Sequence, residues 1–201
     1  TASLFRVNKE TEDLIVPRSV KYESYDYLIT SIVGTGAKIK TIKFAEDSAV
    51  KSIHESAFNK TEIEEIYLPS SLTELKNGWS SYTEKLRIIV PPTNNNLKFV
   101  DDTYLVSKSD QNSDEFDVLQ FVVRSITKFV IPSNIRIISS CAFRISNIKE
   151  IFIPSQITKI GKFAFFRCHS LTKIGIPADS KLQVFILRYK YQRVFCFFWC
   201  F

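Results

Sequence analysis

The segment from Ile131 to Pro177 constrains the fold more than any other stretch, because it contains the same sequence pattern twice. Its prolines Pro132, Pro154 and Pro177 are spaced 22 and 23 residues apart. Between successive prolines the same order returns: apolar residues at fixed intervals, an Ala-Phe pair, and then the pattern I-x-x-I-x-I-P. A fixed period of this size is typical of stacked coils rather than of one folded-over core. The segment therefore predicts a solenoid.

The most regular part of the repeat is L-x-x-L-x-L, in which Ile, Val or Phe can replace Leu. Complete copies lie at Ile39-Ile42-Phe44, Ile63-Ile66-Leu68, Ile126-Phe129-Ile131, Ile148-Ile151-Ile153 and Leu171-Ile174-Ile176, with a degraded copy at Leu86-Ile89. Their first positions are 24, 23, 40, 22 and 23 residues apart. Each copy predicts a short strand whose alternate residues face inward, and stacked copies predict a parallel sheet along one side.

A second signature between the strands is an apolar residue followed four and five residues later by Ala-Phe. It occurs at Ile53 with Ala57-Phe58, at Ile138 with Ala142-Phe143 and at Ile160 with Ala164-Phe165. Leu75 and Trp79 keep the same offset, so we expect the indole of Trp79 to fill this place in its coil. Aromatic rings at repeat spacing stack on one another, so these residues predict core and carry no functional information.

The remaining segments complete the predicted organisation. Residues 1–33 contain two β-prone runs and predict an N-terminal β cap, followed by the repeats over residues 34–185. The spacing of 40 residues marks an insertion at about residues 92–125, in which two β-prone runs flank a Ser-, Asp- and Asn-rich turn. Such runs predict a β-hairpin, which we expect to replace the Ala-Phe half of one coil and to project from the side.

The tail, residues 186–201, breaks the repeat. It ends in RYKYQRVFCFFWCF and is the most apolar part of the chain, whereas an open-ended solenoid should finish in a polar cap. Three interpretations remain open: the tail covers the last coil, it pairs with another chain, or it is an out-of-place end produced by truncation or a change of reading frame.

The repeat C-x-x-L-x-x-I-x-I-P-x-x-I-x-x-I-x-x-x-A-F resembles the BspA-like class of leucine-rich repeats. The residues that carry the resemblance best are 157–165 and 168–177, and segments 15–20, 44–50 and 101–108 are similar to other features of that family. The resemblance covers about residues 5 to 185. It implies a leucine-rich-repeat solenoid that is mainly β, with a parallel sheet on the concave face, short strands and turns on the convex side, and little helix.

The resemblance also implies a location and a class of partner. Family members are cell-surface or secreted proteins of bacteria or parasitic protists, associated with adhesion to host proteins and with immune recognition. We therefore expect a host or extracellular matrix protein as partner, and neither a nucleic acid nor a cofactor. No signal peptide or anchor is visible in this sequence, and no apolar run approaches the ~18 residues of a membrane-spanning helix. An intracellular protein-interaction scaffold of the same fold is the alternative.

Composition and motifs give no sign of catalysis. The net charge is +6, with Lys and Arg spread along the chain, which permits anionic partners without indicating them. The spacings of the four Cys fit no zinc pattern, and we expect Cys141 and Cys168 to fill space beside the core. His54 and His169 occupy unlike positions of their repeats, so solvated loop residues are expected there. We expect no enzyme, no metal and no cofactor.

The informative positions are those that should alternate outward in the L-x-x-L-x-L strands. Of the first outward column, the predicted partner-binding residues are Thr41, Glu65, Ile88, Lys128, Glu150 and Lys173. Those of the second column are Lys43, Tyr67, Val90, Val130 and Phe152. An apolar stripe rimmed by charge is typical of a protein-binding face, although β-prone residues also occur in strands for propensity alone. Both interpretations stay open at this point.

Overall fold

The computed structural model describes residues 1–4, 11–35, 38–55, 57–59, 61–81 and 83–182, together with the backbone of Cys196–Phe198. It divides into two compact units, Thr1–Phe99 and Val100–Phe201. Every regular element in the described part of the chain is a β-strand. No helix there is long and apolar enough to cross a membrane.

The first unit is built from two parallel sheets. Its strands are β1 (Ala2–Leu4), β2 (Asp13–Val16), β3 (Ser19–Tyr22), β4 (Tyr25–Ile32), β5 (Thr41–Phe44), β6 (Ser52–Ile53), β7 (Glu65–Tyr67), β8 (Glu74–Leu75) and β9 (Arg87–Ile89). The L-x-x-L-x-L segments form a sheet in the order β2-β5-β7-β9, which we call the repeat-strand sheet. The strands that precede the Ala-Phe positions form the second sheet, β1-β4-β6-β8, which we call the Ala-Phe sheet.

The predicted N-terminal cap contributes β2 to the repeat-strand sheet and both β1 and β4 to the Ala-Phe sheet. Leu14 of β2 lies opposite Ile42 of β5, and Ile32 of β4 lies opposite Ile53 of β6. β3 and β4 also form an antiparallel hairpin that stands beside this coil. The first 33 residues therefore supply one coil with an added hairpin.

The second unit also has an Ala-Phe sheet and a repeat-strand sheet, but its Ala-Phe sheet includes an antiparallel pair of strands. Its strands are β11 (Tyr104–Ser107), β12 (Val118–Val122), β13 (Ile137–Ile138), β14 (Glu150–Phe152), β15 (Lys159–Ile160), β16 (Lys173–Ile176) and β17 (Cys196–Phe198), while β10 (Leu97–Val100) spans the division between the units in the sequence. The Ala-Phe sheet of this unit runs β11-β12-β13-β15 and its repeat-strand sheet runs β14-β16-β17. Stacked coils with parallel sheets confirm the solenoid.

The inserted hairpin is confirmed, but its expected projection from the side is wrong. β11 and β12 pair antiparallel, and Leu119 of β12 lies opposite Ile138, so β12 takes the place of an Ala-Phe strand as expected. However, all five residues of β12 are buried, and Val106 of β11 belongs to the core of the second unit. Only the polar connection between the two strands is exposed, because the strands themselves carry apolar residues on both faces.

One predicted strand is not formed. Residues 128–131, in the copy Ile126-Phe129-Ile131, lie outside any strand. The next copy still donates two backbone hydrogen bonds to this region, from Asn147 to Arg124 O and from Lys149 to Thr127 O. The predicted burial still holds, since Ile131 is buried and Ile126 and Phe129 pack against the core.

The Ala-Phe positions form the core, as predicted. In the second unit the rings of Phe143 and Phe165 are stacked, with centroids 5.0 Å apart and planes 18° apart. In the first unit Phe58 meets the fully buried Trp79 edge to face at 6.1 Å. Such ring pairs contribute about 0.5–1.5 kcal/mol beyond the area they bury.

The tail contributes a strand. The backbone of β17 pairs in parallel with β16, with Ile174 opposite Cys196 and Gly175 opposite Phe197. The 22 residues between Ile174 and Cys196 match the repeat period, so this strand continues the stack in phase. Residues 183–195 and 199–201, which make up most of the predicted tail, lie outside the described residues.

Candidate functional site

The first outward column of the repeat-strand sheet in the first unit is polar and charged. β-strand pairing places Asp13, Thr41, Glu65 and Arg87 side by side across four strands. The guanidinium of Arg87 donates to the Glu65 carboxylate at 3.0 Å. Because this pair is solvent-exposed, it contributes at most about 1 kcal/mol and defines the surface more than it stabilises the fold.

Two predicted site residues of this unit do not face outward. Ile88 is buried, lies opposite Ile66 and belongs to the core, so its assignment to the charged column is wrong. Val90 follows β9 on the same side as Ile88 and is half-buried. In this copy only one residue separates Leu86 from the inward-facing Ile88, whereas two residues separate the corresponding positions of the other copies. A shift of one residue exchanges the two faces of a strand, so Ile88 and Val90 do not face outward.

The outward residues of β9 are Arg87 and Ile89, neither of which we predicted. Ile89 lies opposite Tyr67 in the second column. At the other end of that column Ile15 is 67% exposed, opposite Lys43. Ile15 was missed because its segment was interpreted as a cap, and the signal that could have found it is the run Leu14-Ile15-Val16 in phase with the later strands.

Lys43 and Tyr67 contact each other across this column. The Lys43 ammonium lies 4.8 Å from the centre of the Tyr67 ring, within the range of a cation–π interaction. At an exposed site such a contact contributes about 0.5–1 kcal/mol. It positions the half-buried ring of Tyr67, which lies on the strand between those of Lys43 and Ile89.

The second unit presents the other predicted site residues at its surface. Lys128, Val130, Glu150, Phe152 and Lys173 are all exposed. Glu150 lies opposite Lys173 in neighbouring strands. Val130 is 89% exposed and Phe152 is 59% exposed. These are the two largest exposures among the large apolar side chains in the described part of the second unit, ahead of Phe163 at 48%.

The ring of Phe152 is placed by a glycine on the next strand. Phe152 lies opposite Gly175, and a Cβ atom at Gly175 would stand 3.0 Å from Phe152 Cδ2. Real Cβ contacts are rarely this short. The absent side chain of Gly175 therefore lets the Phe152 ring lie along the sheet while more than half of its surface stays exposed.

The two histidines of the chain lie at its surface. His54 and His169 are both exposed, as expected. No group of three or more His, Cys, Asp or Glu that could hold a metal ion occurs among the described residues.

The two cysteines expected beside the core are there. Cys141 and Cys168 are buried and free of disulfides. The Cys168 thiol donates to the Phe143 carbonyl at 2.9 Å, and burial raises the pKa of this thiol. A raised pKa keeps the thiol neutral and unreactive, which fits a structural role.

Comparison with known proteins identifies the repeat. The family profile described as BspA type leucine rich repeat region matches residues 5–105 and 118–186 in 6 copies. The gap between the two matched ranges falls on the end of the first strand of the inserted hairpin and on the connection that follows it. No curated protein matches the sequence significantly.

Solved structures of bacterial proteins are similar to this chain at low identity. A leucine-rich repeat protein from Eubacterium ventriosum is 18% identical, with 84% of this chain and 61% of that chain covered and a TM-score of 0.53. The pneumococcal vaccine antigen PcpA is 17% identical, with 88% and 63% covered and a TM-score of 0.44. A leucine rich cell surface protein from Faecalibacterium prausnitzii is 16% identical, with 90% and 51% covered and a TM-score of 0.38.

The present chain therefore spans less than two thirds of the length of each of these three proteins. Identities below 20% support the fold alone. The profile, however, matches more than half of the chain. The protein belongs to the BspA type leucine-rich repeat family.

Proposed function

We propose that this chain is a non-catalytic protein-binding module that uses the outward columns of its repeat-strand sheets. The observation that carries the proposal is the exposure of Val130 and Phe152, at 89% and 59%. Phe152 lies on the repeat-strand sheet and Val130 in the preceding copy of the repeat, outside any strand, where Thr, Lys or Glu would suit water better. Together with the exposed Lys128, Glu150 and Lys173 of the same copies, they have the composition of an interface centre with a polar rim.

Each unit offers its own set of contact residues. In the first unit they are Ile15, Tyr67 and Ile89, flanked by the ion pair of Glu65 and Arg87. Tyrosine anchors interfaces well because it supplies a large rigid ring and a polar hydroxyl at low entropic cost. The ring of Tyr67 is already held by Lys43, so little ordering remains to be done on binding.

We propose the cell surface as the location of this module, because the family resemblance implies it. Leucine-rich repeat proteins are generally binding modules, and a surface module of this family would meet host or extracellular matrix proteins. An intracellular scaffold using the same columns is the second candidate. Microscopy of the full-length protein with an epitope tag, with and without membrane permeabilisation, distinguishes the two.

The binding proposal is tested by comparing three immobilised proteins: the unchanged chain, the double variant Tyr67→Ala with Phe152→Ala, and a matched control. The control is Val20→Ala with Tyr22→Ala, which removes similar exposed apolar area from the β3–β4 hairpin outside the repeat-strand sheet. Each is exposed to an extract of host cells and to an extract of the producing cells.

We expect proteins retained by the unchanged chain and by the control to be lost from the double variant. The retained protein is then purified and its affinity measured directly, with about ten-fold weaker binding expected for the double variant. Equal affinity of a correctly folded double variant would remove these columns as the site. Loss of binding in the control variant alone would indicate that the binding site is the β3–β4 hairpin.

A further inference from the structure

Acidic residues are nearly absent from the coils of the second unit. Between residues 118 and 178 there are nine Lys and Arg but only one acidic residue, Glu150. The whole first unit, by contrast, holds equal numbers of basic and acidic residues, 13 of each over residues 1–99. The net charge of the protein is therefore concentrated on these coils, and an anionic partner would be attracted there.

One cluster on these coils combines cations with aromatic rings. The guanidinium carbons of Arg144 and Arg167 lie 5.1 Å and 5.6 Å from the centre of the same Phe166 ring. The ring of Phe163 meets Phe166 edge to face at 5.5 Å. We call Arg144, Phe163, Phe166 and Arg167 the arginine–phenylalanine cluster. It lies on the turns that follow the Ala-Phe strands, away from the repeat-strand sheet.

The geometry of this cluster suits oxyanions. The two guanidinium groups bring two positive charges to one ring, and this charge favours an anion nearby. A guanidinium that stacks through its face donates hydrogen bonds through its edge, in a fork that matches the oxygens of a sulfate or phosphate group. The neighbouring Lys162 and His169 are exposed and add no negative charge.

Two residues of the cluster lie in the left-handed backbone region, which favours Gly. Phe163 and Arg167 have φ of 60° and 57°. Cys141 and Ile145, at the equivalent positions of the preceding coil, have φ of 62° and 64°, so this conformation belongs to the turn of the repeat. Gly78 occupies the position equivalent to Phe163 in the first unit, with φ of 84°. In the cluster this turn leaves the Phe163 ring 48% exposed.

We propose that the arginine–phenylalanine cluster binds the sulfate groups of a sulfated polysaccharide, with the other exposed cations of these coils contacting further sulfates along the chain. Single-stranded nucleic acid is the less suitable polyanion, because it is held by several aromatic rings on which successive bases stack. Among the described residues of these turns, Phe163 is the one large apolar side chain that is strongly exposed. Cations are many and exposed rings are few, which favours charge contacts over base stacking.

The test uses the full chain and immobilised heparin as the probe, with the salt concentration of elution and the Kd as readouts. The variant Arg144→Gln with Arg167→Gln removes two charges from the cluster. Lys51→Gln with Lys85→Gln removes two exposed charges from the first unit and is the matched control. We expect about ten-fold weaker binding or more for the first pair, and less than about two-fold for the control.

A third variant separates binding from folding. Phe163→Gly removes the exposed ring and places the residue that suits φ of 60° best, so the melting temperature should stay equal or rise. Heparin binding should nevertheless weaken about three-fold, since the ring that supports Phe166 and the two guanidiniums is lost.

Three results would overturn the proposal. The first is elution of the unchanged protein from heparin below about 100 mM salt, a concentration at which nonspecific exposed charges are already screened. The second is equal weakening in the control pair. The third is tighter binding of single-stranded oligothymidine of matched charge than of heparin, which would assign the cluster to nucleic acid.

Discussion

The Phe152 ring lies over Gly175 of the neighbouring strand, so close that a methyl group there would be 3.0 Å from Phe152 Cδ2. Gly175→Ala should therefore lift the ring from the sheet and lower the free energy of unfolding by about 1 kcal/mol. In a Phe152→Ala background the same change should cost almost nothing. Urea unfolding of the four proteins gives the coupling free energy. A coupling near zero would mean that the ring does not depend on this glycine.

Gly161→Ala gives a useful contrast to that cycle. A Cβ atom at Gly161 would stand 2.3 Å from the backbone nitrogen of Ser140. Backbone cannot rotate away as a ring can, so we expect a loss of about 2–3 kcal/mol in the free energy of unfolding. If Gly161→Ala proved as mild as Gly175→Ala, the close approach of these coils would be contradicted.

Arg124 is a buried cation that stabilises the coil in which it lies. Its guanidinium donates to the carbonyls of Ala142 at 2.7 Å and of Cys141 at 3.3 Å, and stands 4.3 Å from the Phe121 ring centre. Burial lowers the pKa of Arg124 to about 9, so the group stays charged at neutral pH. Arg124→Leu removes this donor from both carbonyls, of which that of Ala142 keeps the backbone N–H of Val122, and should cost about 3 kcal/mol.

The exposed Arg136 is the control for that substitution. Arg136→Leu should change the free energy of unfolding by less than about 0.5 kcal/mol, because its side chain contacts only the surface carbonyl of Ser133 in the described structure. The cost of Arg124→Leu should also be the same at pH 6 and pH 8, since both lie below the lowered pKa. Similar costs for the two arginines would contradict the role of Arg124.

Asn94 holds two coils of the first unit together through four hydrogen bonds. Its amide nitrogen donates to the carbonyls of Pro69 and Leu72, and its oxygen accepts from the amides of Asn96 and Leu97. Asn94→Ala leaves buried backbone groups unpaired and should lower the midpoint of thermal unfolding markedly, with a cost of about 2–3 kcal/mol. The adjacent exposed Asn95→Ala should leave the midpoint within a degree or two.

Cys141 and Cys168 should resist alkylation in the folded protein. Both are buried, and burial keeps the Cys168 thiol protonated by raising its pKa. Iodoacetamide at pH 7.5 followed by peptide mapping should label them at a small fraction of the rate measured in 6 M guanidinium chloride. Rapid labelling of either residue in native buffer would show that this part of the core opens readily.

The repeat pattern predicted most of the fold because every coil has the same order of inward-facing and outward-facing residues. The outward placement of Glu65, Phe152 and Lys173 follows directly from that register. The predicted register is wrong at Leu86–Val90, where every residue but Arg87 is apolar. No alternation of polar and apolar residues there indicates which face of the strand is inward, so the prediction assigns Ile88 to the outward face although it is buried.

Other features depend on neighbours that a sequence does not display. The burial of β12 on both faces reflects what packs on each side of it. The position of Phe152 depends on a glycine 23 residues later, and the exposed Ile15 depends on pairing of β2 with β5. The arginine–phenylalanine cluster gathers residues from two successive turns, and only the scarcity of acidic residues marks it in the sequence.

The buried β11–β12 hairpin also bears on how the second unit folds. Pairing Ser107 with Val118 closes a loop about half as long as the coil between Ile138 and Ile160, which lowers the closure entropy by about 0.6 kcal/mol. Short-range contacts form sooner than long-range ones, and here they also bring core side chains together. The β11–β12 hairpin, which departs from the repeat, is thus the expected folding nucleus of the second unit, onto which the parallel coils add one at a time. During refolding its backbone amides should be the first in the unit to gain protection from hydrogen exchange.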